Sequence, residues 1–142
     1  MGHQQLLLLT LCVILVGIAT SVGTTMFVDN ASSMNRDAVT NDLMYYGIRA
    51  MQHYRKPVAL GGGGNSFTGL TTKHLANKVD ASGIIHNTNG IYEIVGTPSG
   101  NNPVVIRGTG TELGYDGRNK LSVVMNVWPD SVNIYSTDPA TN

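Results

Sequence analysis

The chain has 142 residues, with 9 basic and 9 acidic side chains, a formal net charge of zero and only 13% charged residues. A charge so sparse and balanced excludes a protein that binds nucleic acid or anionic lipid through a basic field. Its one cysteine, Cys12, excludes an intrachain disulfide framework, and 17 glycines point to a loop-rich domain.

The first element is a greasy run. Residues 6–28 read LLLLTLCVILVGIATSVGTTMFV, and no charged side chain precedes Asp29. As a helix rising ~1.5 Å per residue the run is roughly 34 Å long, against about 30 Å for a bilayer core. Each central Leu, Ile or Val favours insertion by roughly 0.3–0.6 kcal/mol. Three roles fit such a segment: a cleaved secretory signal, a single-pass anchor for an extracytoplasmic binding or sensor domain, or a helix held in the membrane until it enters a polymer. The signal requires a positive n-region and a small-residue cleavage site. Met1-Gly2-His3-Gln4-Gln5 has no Lys or Arg, and no A-x-A precedes Ser21 or Thr24. Cys12, inside the run, reads as a small buried hydrophobe.

Beyond Asp29 the pattern turns amphipathic without a break. Phe27, Ala31, Met34 and Ala38 follow at three- and four-residue steps, and Val39, Leu43, Tyr46, Ala50 and Tyr54 do so on an adjoining face. Arg36, Asp37, Asn41, Asp42 and Arg49 suit a wet face. No proline occurs before Pro57, which ends a helix just ahead of itself. Arg55 and Lys56 complement the negative end of the helix dipole. The spacing predicts one helix over residues 4–55, ~80 Å long. No linker separates its two halves, which weighs against the anchored-sensor role.

The remainder reads as a small head. Gly61-Gly62-Gly63-Gly64 lacks the preceding strand and the Lys-Ser/Thr pair of a phosphate loop, so it predicts a mobile or tightly turned link. Phe67 and Leu70 are positioned to anchor that link on the long helix. Residues 71–79 predict a short helix capped by Thr71 or Thr72, with Leu75 and Val79 inward. Strands follow at residues 84–86, 91–95, 104–107, 121–128 and 132–135, with turn chemistry at 87–90, 96–100 and 115–119 and a loose segment at 108–114. Val123, Met125 and Val127 alternate against Ser122, Val124 and Asn126. Short connections favour an antiparallel meander, whose covered face requires the amphipathic half-helix. The fold class is therefore α+β: a long N-terminal helix packed on a small antiparallel sheet. It divides into an apolar helix (1–28), its amphipathic continuation (29–56) and a loop-rich head (57–142).

These features resemble the type IV pilin superfamily: the near-terminal apolar run, its amphipathic continuation to Tyr54, and the turn-rich exit at Pro57. The resemblance implies a structural, non-enzymatic subunit with no cofactor. It would be held first in the cytoplasmic membrane and then built into an extracellular filament whose principal partner is itself. It further implies a prepilin peptidase and pilus assembly machinery as partners, and a chain beginning either at a processed Met1 or after a leader reduced to Met1-Gly2. Where bacterial pilins usually carry a Glu that meets a neighbour's terminal amine, this chain has Gln5, which accepts a hydrogen bond but carries no charge. The filament-core residues implied are Gln5, Leu7, Leu8, Leu11, Ile14, Leu15, Ile18, Val22 and Phe27. Gly17 and Gly23 are the points of flexibility, and with Ala19, Thr20, Ser21, Thr24 and Thr25 they are small enough for close helix approach.

Other chemistry is thin. His3, His53, His74 and His86 lack metal-ligand spacing, and the turn at Asp116 lacks the further acids of a calcium loop. Glu93 and Glu112 form no evident acid–base pair, and Ser66 is in no nucleophile-elbow motif. Asn30-Ala31-Ser32 matches a glycan acceptor but falls within a helix. Tyr45, Tyr46 and Tyr54 read as packing against the sheet rather than as a path for electrons. The three N-terminal roles differ in one observable. N-terminal sequencing of the native protein is expected to find residues 6–28 retained, whereas a start near Ser21 or Thr24 would identify a cleaved signal.

Overall fold

The computed structural model describes residues 2–136; Met1, the candidate first mature residue, and positions 137–142 of the expected head lie outside the described residues. The long helix, α1, runs unbroken over Gly2–Arg55. It passes through Gly17 and Gly23 without interruption and stops two residues before Pro57. Its exposed carbonyls are taken up by the glycine link. The N–H groups of Gly63, Asn65 and Gly64 donate to the carbonyls of His53, Tyr54 and Lys56 at 2.7–2.9 Å. A Cβ at Gly62 would lie 2.2 Å from the Lys56 carbonyl oxygen, so only glycine lets the chain fold back this tightly. The link is a tight turn, a cap rather than a tether.

Five strands follow: β1 (Ile85–His86), β2 (Gly90–Val95), β3 (Val104–Leu113), β4 (Lys120–Val127) and β5 (Val132–Ser136), in one antiparallel sheet of order β1-β2-β3-β4-β5. The meander and the α+β class are as the sequence implies. Residues 108–114, read as loose, are instead mostly strand: β3 continues to Leu113, with a register shift between Thr109 and Leu113. The glycines that suggested a loop are there because α1 crosses the sheet at this point. A Cβ on Gly108 would meet Val39 at 2.7 Å, and one on Gly110 would meet the Asn35 Oδ1 at 2.1 Å. Here glycine marks close approach of backbones, not a turn.

α1 packs mainly across β3 and β4. Val39, Leu43, Tyr46 and Ala50 from the helix interlock with Tyr92, Val104, Ile106, Leu121, Val123, Met125 and Val127 from the sheet, and all are buried. Each such aliphatic or aromatic side chain contributes roughly 1.5–3 kcal/mol on leaving water. The second apolar face foreseen for the helix is not covered, because Phe27 is 79% and Met34 73% exposed. Val124, expected outward with Ser122 and Asn126, is buried as well. The expected short helix contracts to a single turn, α2 (Thr72–Leu75), and Val79 instead bridges Ile85 as an isolated β contact. Phe67 and Leu70 are buried, with the Phe67 ring 4.8 Å from that of Tyr54, and so anchor the link as expected. Tyr46 and Tyr54 join the packing, but Tyr45 remains 53% exposed on the opposite side of the helix.

Two polar clamps set the position of the helix. Asp42, read as a wet-face residue, turns to the sheet. Its Oδ2 accepts from Asn87 and Asn89 Nδ2 at 2.8 Å and from the Tyr92 hydroxyl at 2.6 Å. Burial first, then the Asp42 carboxylate, raises the pKa of both Tyr92 and Tyr46, which keeps the hydroxyls protonated. Asn35 plugs the irregular stretch of β3: its Nδ2 donates to the Asn89 carbonyl at 2.9 Å, and its Oδ1 accepts from the N–H groups of Thr111 and Glu112 at 3.0 and 3.3 Å. Gly110→Ala, by evicting Asn35, is expected to destabilise the head by about 1–3 kcal/mol, read by denaturant titration of the detergent-solubilised protein.

Candidate self-assembly surface

Hydrogen bonding between α1 and the head starts at Ser32, whose hydroxyl donates to the Leu113 carbonyl at 2.7 Å. That bond also commits the serine of the Asn30-Ala31-Ser32 tripeptide to the fold. Everything before it stands clear. No residue from 2 to 31 is buried, and at ~1.5 Å per residue this is about 45 Å of helix that the described head leaves uncovered. The helix is long and apolar enough to cross a membrane.

Four threonines in this segment bond back onto the helix. Thr10 donates to the Leu6 and Leu7 carbonyls at 3.0 and 2.9 Å, Thr24 to the Thr20 and Ser21 carbonyls at 3.1 and 2.9 Å, and Thr25 to the Ser21 carbonyl at 3.0 Å. Thr20 does the same with the Val16 carbonyl. Each of these four threonine hydroxyls is satisfied by its own backbone, so none of them needs a hydrogen bond from a neighbour or a lipid.

On this regular helix Leu7, Leu11, Ile14 and Ile18 fall on one face, flanked by Leu8, Leu15 and Val22 at seven-residue steps. Gln5 and Phe27 lie off that stripe by the same periodicity. Leu6, Leu9, Val13 and Val16 on the remaining faces are also 62–67% exposed. The apolar composition of residues 6–18 carried that signal: a helix greasy all round has no single seam. Cys12, read as buried, is exposed in the single chain. An added Cβ at Gly17 or Gly23 would meet nothing within 4 Å, so both positions form open notches. The side chains of Gln4, Leu7, Leu8, Thr10, Leu11 and Ile14 border a shallow groove into which the ridge of a facing helix can fit. The outward side of the amphipathic half extends this surface through Met34, Tyr45 and Ile48, each about half exposed or more.

Among the described residues no group of three or more His, Cys, Asp or Glu side chains is placed to hold a metal. Two histidines that sequence reading left scattered do meet. His53, on α1, is 8% exposed and its ring centroid lies 4.6 Å from that of His74 on α2. The Thr71 N–H donates to His74 Nδ1 at 3.0 Å, so that nitrogen carries no proton and the ring cannot also bind a metal through Nε2 as neutral imidazole. The contact is a helix cap against a packed ring. Burial, then the neighbouring His74, depresses the His53 pKa below its ordinary 6.5, with Lys56 adding to the shift and a hydrogen bond to the Thr68 backbone opposing it.

Comparison of the chain with protein-family models, curated proteins and solved structures returns no match. The shape itself, an apolar-then-amphipathic helix laid on a small antiparallel sheet, is pilin-like.

Because His53 binds a proton less readily folded than unfolded, its contribution is complete above pH ~6.5 and is lost as pH falls through the depressed folded value. The Tm of the detergent-solubilised protein is expected to be lower at pH ~5 than at ~7.5, and His53→Phe to flatten that difference.

Proposed function

We propose that this chain is the structural subunit of a type IV pilus-like filament, polymerised through its N-terminal helix and displayed at the cell surface. The observation that supports this most directly is the unpartnered apolar segment, residues 2–31, standing on the same rigid helix that carries the folded head. Before assembly the segment is solvated by lipid. In the filament, copies of the same segment replace lipid, and association rests on close van der Waals packing with the notches at Gly17 and Gly23 admitting a neighbour's side chains. The role is structural and uses no cofactor. The prepilin peptidase and assembly machinery implied by the resemblance would process and extract the subunit.

Leu8→Asp and Ile14→Asp place a charge in that packed apolar core, where it costs roughly 2.5–3.5 kcal/mol or more. Both variants are expected to abolish filaments in electron micrographs while leaving the circular dichroism of the head unchanged. Normal filaments from both would contradict the proposal. A wild-type protein recovered from membranes only as a monomer would favour a single-pass anchored domain.

A further inference from the structure

Deepening the filament reading, on which it rests, we infer that heads of successive subunits join end to end, an apolar knob on one copy seating in a cleft on the next. The knob is the short 3-10 turn Val58–Leu60 at the far end of α1. Val58 is 71% and Leu60 66% exposed, although the turn beneath them is held by four backbone hydrogen bonds. The Leu60 and Gly62 N–H groups donate to the Pro57 carbonyl, Gly61 donates to Val58, and Gly64 donates to Lys56, all at 2.9–3.1 Å. The apolar tip is thus rigid, and little ordering entropy is lost when it docks.

The cleft lies at the other end of the head, where α1 emerges. It has a volume of about 410 Å³ and is lined by Val28, Asp29, Ser32, Leu113, Tyr115 and the glycines of the β3–β4 turn. Its wall is built in advance: the Arg36 guanidinium sits 4.1 Å over the Tyr115 ring, and the Ser32–Leu113 bond holds the turn against α1. A subunit cannot fill its own cleft, since Asp29 and Lys56 are separated by ~40 Å of straight helix.

Three features select a second copy as the occupant. The knob is flanked by Arg55 and Lys56, whereas the cleft carries Asp29, and none of these three has an opposite charge as partner among the described residues. Knob and cleft are ~40 Å apart along one axis, so a copy shifted by that distance along α1, and sideways by about 10 Å to clear the helix, brings the two to the same level. That same translation sets the apolar segment of the upper copy beside residues 29–56 of the lower one, where Met34, Tyr45 and Ile48 are exposed. A contact between two different patches related by translation does not close, and it propagates as a fibre.

Disulfide trapping in assembled filaments tests the contact. In a Cys12→Ala background, Leu60→Cys combined with Tyr115→Cys in one chain is expected to give a ladder of covalent oligomers on mild oxidation. Filaments mixed from the two single variants should give dimers only, and each single variant alone should give no link through this contact. Charge reversal is an independent arm: Asp29→Lys lowers the pelleted filament fraction several-fold, and adding Lys56→Asp restores it to within about twofold. Filaments that form from the double-cysteine chain without any ladder, or an Asp29→Lys defect that Lys56→Asp does not relieve, would overturn the knob-and-cleft contact while leaving the filament reading standing. If the cysteine pair blocks assembly, a wild-type filament reconstruction decides instead, by showing or lacking copies related by a ~40 Å axial shift with Leu60 against Tyr115. A wild-type chain that forms no filament overturns both inferences.

Discussion

The rest of this structure follows from a mismatch of areas. A helix of 54 residues is paired with a head that reaches only its C-terminal half. The head buries Val39, Leu43, Tyr46 and Ala50, and among the described residues nothing covers the leucines at positions 6–9. Apolar surface of that extent is strongly disfavoured in water, and a lipid bilayer or a packed apolar neighbour would each relieve it. The inward-bonded threonines make the two phases nearly interchangeable from the point of view of the backbone. Transfer between them costs no broken hydrogen bonds at Thr10, Thr20, Thr24 or Thr25.

Continuity of the helix gives that mismatch mechanical meaning. Because α1 does not break between residues 28 and 32, the orientation of the apolar half dictates the orientation of the head. The clamps at Asn35 and Asp42 then lock the head's rotation about the helix axis, since each grips a different part of the sheet. Asn35 holds β3 and the turn before β2, whereas Asp42 holds that turn and Tyr92. The polar contacts carry position while the hydrophobic ones carry most of the energy.

Much of the architecture was legible because it depends on local periodicity. Apolar continuity over 6–28, the three–four spacing of Val39, Leu43, Tyr46 and Ala50, the stop at Pro57 and the alternation in β4 are properties of neighbouring residues. The errors share a cause. Gly108 and Gly110 were read as breakers, since a glycine's local preference is for turns, yet their purpose is to admit Val39 and Asn35 from 69 and 75 residues away in sequence (108 − 39 and 110 − 35). Asp42 was read as solvated because its charge suits water, and nothing near it in sequence reveals Asn87, Asn89 and Tyr92 waiting across the turn.

The sequence by itself determined that this chain owns a rod too greasy for water, joined without a hinge to an antiparallel head, because hydropathy and periodicity are read from adjacent side chains. Only the tertiary structure decided which face of the rod the head occupies, how the Gly61–Gly64 stretch folds back to cap it, and where the knob at Leu60 and the cleft at Tyr115 lie. Those outcomes depend on groups far apart in the chain meeting within a few ångströms, and the energy of such meetings is not a property of any one segment.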